Sequence, residues 1–254
     1  MRIHGNTIFI PGATSGIGLA LAVRLHEAGN RVIIGGRRTE LLEHIAAEHP
    51  GIDTVRIDTT DARSIADAAA EVIARHPELN VLIPMAGIMR AEDWTSPQDA
   101  LVTAEATVTT NLLGPLRLIS AFLGHLLAQP DATIMTVSSG LAFAPLRVTP
   151  TYNATKAAIH MLSATLRLQL SGTGVQVVEL VPPSVQTDLM PGHRDDPSAM
   201  PLDAYIDETL SLLRAHPEAP EILVERVKFL RHGEARGDQD QVIAALNRMD
   251  AAAA

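Results

Sequence analysis

The feature that most constrains the fold is an alternation of short apolar runs with segments of helical period. Runs rich in β-branched and apolar residues lie at 7–10, 31–34, 54–57, 81–83, 133–137 and 175–181. Between them apolar residues recur every three or four positions, as at Ile17, Leu21 and Leu25, which is the period of an amphipathic helix. Strands that alternate with helices form βαβ units and a parallel sheet. The sequence therefore predicts an α/β fold.

The length of 254 residues fits one such domain. Six strands with helices on both sides predict a Rossmann-type, doubly wound, three-layer α/β/α sheet. After residue 181 the pattern of a further strand is missing, and residues 221–231 and 240–248 have a helical pattern instead. We therefore expect a single domain over residues 1–254 with six or seven strands, ending in a helical C-terminal extension over residues 217–254.

Composition excludes several classes of protein. Lys and Arg number 20 against 29 Asp and Glu, which gives a net charge of −9, and the chain has no cysteine. An acidic chain lacks the basic footprint of nucleic-acid binding, and without cysteine there is no disulfide or Cys-ligated zinc. No apolar run approaches the roughly 18 residues that span a bilayer, and the histidines lack a paired metal-ligand spacing. We expect a cytoplasmic protein with no metal, nucleic-acid or membrane partner.

The first candidate site is the glycine-rich stretch P-G-A-T-S-G-I-G at residues 11–18. Gly12, Gly16 and Gly18 lie between a predicted strand and the start of a predicted helix. A turn of this kind lets backbone N–H groups approach a pyrophosphate, whose charge the helix dipole favours. The alternative is a tight strand–helix connection that binds no ligand.

The second candidate site combines Tyr152, Lys156 and the serine pair Ser138-Ser139. Four residues apart on a helix, Tyr152 and Lys156 share one face, and the ammonium is expected to lower the tyrosine pKa from about 10 toward neutrality. Such a tyrosine is a usable general acid or base. The serines follow the fifth strand, at the sheet edge where open α/β folds bind ligands. The alternatives are an exposed Tyr–Lys pair and a turn-forming serine.

Together these features resemble the classical short-chain dehydrogenase/reductase family, through about residue 190. The family's glycine pattern fits Gly12, Gly16 and Gly18. The stretches S-S-G-L-A-F-A-P, A-T-K-A-A-I-H and I-L-V-E-R-V-K-F-L-R are similar to the DltE-like subgroup. The resemblance implies a catalytic set of Asn111, Ser139, Tyr152 and Lys156. It implies a cofactor site made of Gly12, Thr14, Ser15, Gly16, Ile17, Gly18, Arg37, Arg38, Asp58, Thr59, Ala86, Gly87, Tyr152, Lys156, Pro182, Val185 and Thr187.

The implied activity is an NADPH-dependent oxidoreductase that acts on a carbonyl or a secondary alcohol. In it Ser139 and Tyr152 bind the substrate oxygen, Tyr152 is the general acid or base, and Asn111 positions a water next to Lys156. Two alternatives stay open: a non-catalytic dinucleotide-binding regulator, and a reductase of C=N or C=C bonds. The family resemblance also implies a substrate lid over residues 188–216 and a homodimer or homotetramer.

The choice of cofactor rests on the second strand, V-I-I-G-G-R-R. NAD-binding folds carry an acidic residue at the end of this strand, which bonds the ribose 2′-hydroxyl and repels a 2′-phosphate. Here the position holds Gly36, followed by Arg37 and Arg38, whose guanidinium groups suit a phosphate. We therefore predict a preference for NADP(H) over NAD(H). The alternative is that both arginines are simply solvated.

The chain also departs from the family pattern. Pro11 replaces a threonine, and Pro84-Met85 replaces an asparagine pair. In the family those polar residues connect the first and fourth strands. We expect apolar packing to replace that connection here.

Overall fold

A parallel sheet of seven strands forms the centre of the computed structural model, which describes residues 1–251 and side chains through Arg248. The strand order is β3-β2-β1-β4-β5-β6-β7, and every neighbouring pair is parallel. The strands are β1 (Thr7–Pro11), β2 (Arg31–Gly36), β3 (Asp53–Arg56), β4 (Val81–Leu82), β5 (Ala132–Val137), β6 (Val175–Leu180) and β7 (Glu221–Ile222). The Rossmann-type fold is confirmed.

Helices connect the strands and cover both faces of the sheet. They are α1 (Gly16–Glu27), α2 (Thr39–Glu48), α3 (Ala62–Arg75), α4 (Pro97–Val108), α5 (Gly114–Leu127), α6 (Pro150–Gln169), α7 (Leu202–Ala215), α8 (Lys228–Arg231), α9 (Gly233–Arg236) and α10 (Gln239–Ala251). One π-helical turn, Thr109–Leu113, joins α4 to α5. In the described part of the chain, no helix has the length and apolarity needed to cross a membrane.

Two hydrophobic cores lie on opposite faces of the sheet. One face packs against α1, α2 and α7 through residues such as Leu21, Leu25 and Ile206. The other packs against α3 and α5 through residues such as Val72 and Phe122. Strands buried on both faces are nearly all apolar, which explains why the sequence shows them as continuous apolar runs.

The seventh strand corrects the sequence prediction for residues 221–231. Glu221 and Ile222 pair in parallel with Glu179 and Leu180 of β6, so this segment begins as a strand and becomes helical only after residue 224. Two residues are too short to show the alternation that identifies a strand in a sequence. The helix predicted over 240–248 is confirmed as α10, and residues 252–254 of the predicted extension lie outside the described residues.

The segment predicted as a lid divides into two parts. Helix α7 is built into the core, because Tyr205, Ile206 and Leu210 are at most 2% exposed and lie in the same cluster as Leu21. An ion pair between Arg24 of α1 and Asp207 also ties it down. The preceding residues 188–198 are largely exposed. A lid function therefore remains a proposal for the segment before α7.

The topology places the candidate site residues along one edge of the sheet. Strand order reverses between β1 and β4, whose neighbours β2 and β5 lie on either side. In open α/β sheets the crevice at this reversal, outside the carboxyl ends of the strands, is where ligands bind. The glycine-rich loop follows β1, the loop with Ala86 and Gly87 follows β4, and Ser138-Ser139 follow β5. Lys156 lines a small cavity together with Ala86. Both candidate sites therefore lie at one crevice.

Candidate active site

The glycine-rich loop and the loop after β4 lie so close that side chains are excluded between them. Gly12 has φ +93°, and a Cβ atom there would lie 2.3 Å from the Ala86 nitrogen. A Cβ on Gly18 would lie 2.8 Å from Met85 Cγ. The Pro11 carbonyl accepts hydrogen bonds from the N–H groups of Met85 and Ala86 at 3.0 and 3.1 Å. Backbone hydrogen bonds and Met85 packing thus connect β1 to β4.

The start of α1 has the properties of an anion site. Its first turn, Gly16–Leu19, is made of glycine and apolar residues only, and the Ser15 side chain makes no capping hydrogen bond within the described residues. The first N–H groups of a helix lack acceptors and carry the positive end of its dipole. Thr187 Cγ2 would lie 3.4 Å from a Cβ on Gly16, so the loop after β6 reaches the same place. These residues fit a dinucleotide's pyrophosphate.

The arginines after β2 lie beside this helix start. Arg38 donates to the hydroxyl of Thr14 at 3.5 Å, and both Arg37 and Arg38 are exposed. A Cβ on Gly36 would lie 2.4 Å from Thr14 Cγ2, so a larger residue there would require the Thr14 side chain to shift. Positive charge and a small residue are therefore both present where the 2′ position of a bound adenosine ribose is expected.

Asp58 and Thr59 follow β3 on the same side. Burial acts to raise the pKa of Asp58, but hydrogen bonds from the backbone and side chain of Thr60, with Arg37 and Arg56 nearby, hold the pKa below its usual value. Asp58 is thus a fixed carboxylate near Arg37, and Thr59 is buried behind it. The predicted adenine-side residues are brought together.

Asn111 lies in the π-helical turn between α4 and α5 and is 1% exposed. Its Oδ1 accepts from the Ile88 N–H at 2.8 Å, and its Nδ2 donates to the Ile88 carbonyl at 2.8 Å. A single π turn inside a long helix often marks a functional site. Here it aligns the long helix with the loop that carries Ala86 and Gly87.

Ser139 and Tyr152 lie together behind the crevice. Ser139 begins a 3₁₀ turn after β5, where its Oγ accepts from Leu141 N–H at 3.1 Å. Tyr152, in the first turn of α6, is 6% exposed. Burial raises the pKa of Tyr152 to about 12, and a hydrogen bond with the Ser139 hydroxyl opposes that rise. Tyr152 is therefore protonated at neutral pH.

Lys156 lies one turn further along α6. Its Nζ donates to the Val137 carbonyl at 2.8 Å and lies 5.5 Å from the centroid of the Tyr152 ring. Burial lowers the pKa of Lys156 to about 8, and the charge of Glu179 opposes this shift. The shared face was correctly predicted, but the lowered tyrosine pKa was wrong. Burial of the phenol determines the direction of the Tyr152 pKa shift, because the Lys156 ammonium is directed to the Val137 carbonyl at the end of β5.

A small cavity of about 10 Å³ lies between Asn111 and Lys156. Its other lining residues include Pro84, Ala86 and Val137. This volume is close to the roughly 10–15 Å³ that one water molecule requires, and the cavity has polar groups to bind it. The cavity supports the predicted water between Asn111 and Lys156.

The predicted nicotinamide-side residues follow β6. The Pro182 carbonyl accepts from Gly140 N–H at 2.9 Å, which holds the loop after β6 against the turn that begins at Ser139. Val185 forms an isolated bridge with Met200, and Thr187 lies against Gly16. The structure therefore brings Thr187 to the glycine-rich loop and Pro182 to the turn that begins at Ser139.

Sequence reasoning missed a polar cluster directly behind the site. Ser138 donates to Glu179, and His160 Nδ1 lies 3.1 and 3.0 Å from the two oxygens of the same carboxylate. Glu179 is completely buried. The available signal was a lone glutamate inside the apolar run V-Q-V-V-E-L-V, since a buried charge requires partners.

Fold and site together define a Rossmann-type domain with a dinucleotide crevice and a buried Ser–Tyr–Lys set. Residues 6–198 match the model of the short chain dehydrogenase family, which is more than half of the chain. The chain therefore belongs to the short-chain dehydrogenase family of oxidoreductases. It is similar to the uncharacterized oxidoreductase DltE of Bacillus subtilis, with 39% identity over 98% of this chain and 100% of that one.

Solved structures agree with this assignment. A short chain dehydrogenase from Burkholderia cenocepacia, solved in complex with NADP, has a TM-score of 0.81 and 26% identity, covering 97% of this chain and 99% of that chain. An alcohol dehydrogenase from Thermococcus sibiricus, complexed with 5-hydroxy-NADP, has a TM-score of 0.76 at 24% identity, covering 86% of this chain and 95% of that one. The second likeness concerns the fold alone.

Proposed function

We propose that this chain is an NADPH-dependent oxidoreductase that transfers hydride between the nicotinamide and a carbonyl or secondary alcohol substrate. The observation that carries the proposal is the buried line of Ser139, Tyr152 and Lys156, with Tyr152 protonated by its burial. A non-catalytic regulator has no need of a buried acid at this edge of the sheet. The NADP complex of the Burkholderia relative supports the choice of cofactor.

The residues that would hold the cofactor form three groups along the crevice. The start of α1, with the glycine-rich loop, would bind the pyrophosphate. Arg37 and Arg38, beside Gly36, would bind the 2′-phosphate, because a guanidinium forms paired charged hydrogen bonds with phosphate oxygens. Val185 and Thr187 would bind the carboxamide end. When bound, the nicotinamide supplies or accepts the hydride.

The protein side chains supply orientation and a proton. In the reducing direction the hydroxyls of Ser139 and Tyr152 donate hydrogen bonds to the substrate oxygen, which fixes the carbonyl and polarises it. Tyr152 then gives its proton to that oxygen. The positive charge of Lys156 stabilises the phenolate that is left. A water in the cavity between Asn111 and Lys156 would connect this region to solvent and return the proton.

Incubation with NADPH and a panel of ketones, diketones and aldehydes, followed by cofactor absorbance, tests the proposal. We expect turnover on at least one carbonyl, and turnover of the matching secondary alcohol with NADP⁺. Imines and activated alkenes in the same panel distinguish a C=N or C=C reductase. Tight NADPH binding without turnover of any compound class would favour the regulator instead.

A further inference from the structure

Glu179 of β6 is a fully buried carboxylate held by Ser138, just after β5, and by His160 of α6. It is 0% exposed, and its oxygens accept from Ser138 Oγ and face His160 Nδ1 at 3.1 and 3.0 Å. A carboxylate is only an acceptor, so His160 Nδ1 carries a proton toward it. A buried charge is tolerated only when paired and hydrogen-bonded. The position of this carboxylate is therefore fixed.

The same carboxylate connects to two residues of the candidate active site. Ser138 directly precedes Ser139, and its N–H donates to Leu180 O at 2.9 Å, so Glu179 fixes the chain where Ser139 begins its turn. Lys156 lies one helical turn before His160 on α6, and its ammonium bonds the carbonyl of Val137. The charge of Glu179 raises the pKa of Lys156 against the larger effect of burial.

The remaining charges nearby are compensated by other partners. Glu221 of β7 is the register partner of Glu179, a like-charge neighbour. Arg231 donates to Glu221 from Nε and Nη2 at 2.7 and 2.9 Å, and Arg167 of α6 adds positive charge near Glu221. Arg231 also covers the Phe143 ring, which makes a T-shaped contact with the ring of His160. The charge of Glu179 also acts on Arg231, but Arg231 is already paired with Glu221. Lys156, whose ammonium donates to the Val137 carbonyl, is the lysine on which the charge of Glu179 acts.

A metal ion is the other chemistry that this cluster suggests. Ligand atoms of His160, Glu179 and Glu221 lie within 4.8 Å of one another. Their oxygens, however, already accept hydrogen bonds from Ser138, His160 and Arg231. An internal hydrogen-bonded network therefore accounts for the cluster.

We propose that Glu179, held by Ser138 and His160, is a positioning residue that keeps the Lys156 ammonium charged and Ser139 in place. Its kinetic consequence rests on the proposed function, whereas its effect on the charge of Lys156 does not. Glu179 touches neither substrate nor cofactor in this scheme. The charge of Glu179 acts on Lys156 electrostatically. Its hydrogen bond with Ser138 fixes the backbone that leads into Ser139.

The chain has two lysines, Lys156 and Lys228, which makes the charge of Lys156 directly measurable. Protein labelled with ¹³C at lysine Cε should give two NMR signals, assigned with the Lys228→Arg variant. In Glu179→Gln the midpoint of the Lys156 titration should fall by about one pH unit, because an opposite charge is removed. Lys228, paired with Glu225, is the internal reference.

Glu221→Gln is the matched control, since it removes a carboxylate of the same cluster that Arg231 compensates. It should leave the Lys156 midpoint near that of the unaltered protein. Glu179→Asp keeps the charge but withdraws it by one methylene, and should give a smaller shift of the same sign. If Glu179→Gln does not fold, the Lys156 midpoint in Glu179→Asp tests the proposal. An unchanged midpoint in whichever Glu179 variants fold would overturn the proposal, as would equal shifts in the Glu179 and Glu221 variants.

Kinetics separate this inference from the proposed function. If the protein reduces a carbonyl, the alkaline limb of kcat/KM should move to lower pH in Glu179→Gln by the amount that NMR gives, with kcat falling more than KM changes. If the Lys156 midpoint moves in Glu179→Gln but the protein has no reductase activity, the proposed function is refuted and the electrostatic role of Glu179 is supported. Reductase activity with an unmoved Lys156 midpoint would support the proposed function and overturn the electrostatic role of Glu179.

Discussion

The side-chain amide of Asn111 bonds both backbone groups of Ile88, accepting from its N–H and donating to its carbonyl at 2.8 Å each. Asn111 therefore supplies the hydrogen-bond partners of Ile88, in the loop after β4, that a neighbouring strand would otherwise supply. The π turn at Thr109–Leu113 brings the amide into this position. Loop, helix and the small cavity beside Lys156 are thereby fixed relative to one another.

Asn111→Leu should remove this connection. Two backbone groups would lose their partners, and a buried unsatisfied group costs about 1–3 kcal/mol. We expect a loss of unfolding free energy in this range in urea, together with a large fall in turnover as Lys156 loses its polar surroundings. Thr110→Ala is the control, because the Thr110 hydroxyl donates to the Ala106 carbonyl one turn earlier and not to the loop after β4. Equal turnover in the two variants would contradict the role given to Asn111.

Tyr152→Phe removes the proposed acid while keeping the ring. Turnover should fall by about 10²–10⁴-fold, the usual contribution of general acid catalysis, with little change in NADPH affinity. The chain has two tyrosines, and Tyr205 is buried in α7 in the same core cluster as Leu21. Tyr205→Phe should therefore keep most of its turnover. Near-normal turnover in Tyr152→Phe on a good substrate would refute the mechanism.

Much of the fold and the outline of the site could be predicted because they depend on local patterns. Six strands follow from apolar runs, and Tyr152 and Lys156 share a face because helical spacing requires it. The π turn at Asn111 could not be predicted, since it depends on a hydrogen bond to Ile88, 23 residues earlier in the chain.

The remaining differences arise from tertiary surroundings. Strand β7 is two residues long and exists only because β6 offers an edge. The direction of the Tyr152 pKa shift was wrong because sequence spacing indicates a neighbouring charge but not the depth of burial. Glu179 was overlooked for a related reason, as its partners come from β5 and α6, distant in sequence.

The pH dependence of reduction should follow Lys156. Its pKa is lowered to about 8 by burial, so the ammonium is lost as pH rises through that value. Tyr152, with a pKa raised to about 12, keeps its proton throughout this range. We expect kcat/KM for carbonyl reduction to be level below pH 8 and to decline above it. A profile that stays level to pH 10 would show that the charge of Lys156 is not required.

Exposed apolar side chains on α4 and α6 predict a homodimer. Val102 is 69% exposed, Met161 64% and Leu168 78%, and the two helices lie side by side on one face of the molecule. Large apolar side chains exposed on neighbouring helices are typical of an interface. Light scattering at micromolar concentration should give at least twice the chain mass, and Val102→Asp combined with Met161→Asp should lower it. Phe229→Asp, on α8, should leave the mass unchanged.

Cofactor preference should depend on Arg37 and Arg38. A charged hydrogen bond is worth about 1.5–3 kcal/mol, so Arg37→Ala should weaken NADPH binding about 10- to 150-fold and leave NADH almost unchanged. Gly36 stands where an acidic residue would repel a 2′-phosphate, and a Cβ there would lie 2.4 Å from Thr14 Cγ2. Arg214→Ala is the control, since this exposed arginine lies in the last turn of α7, at the opposite edge of the sheet. Fluorescence titration of both cofactors with each variant measures the effect. Tighter binding of NADH than of NADPH by the unaltered protein would reverse the assignment, because the guanidinium groups would then have no phosphate to bind.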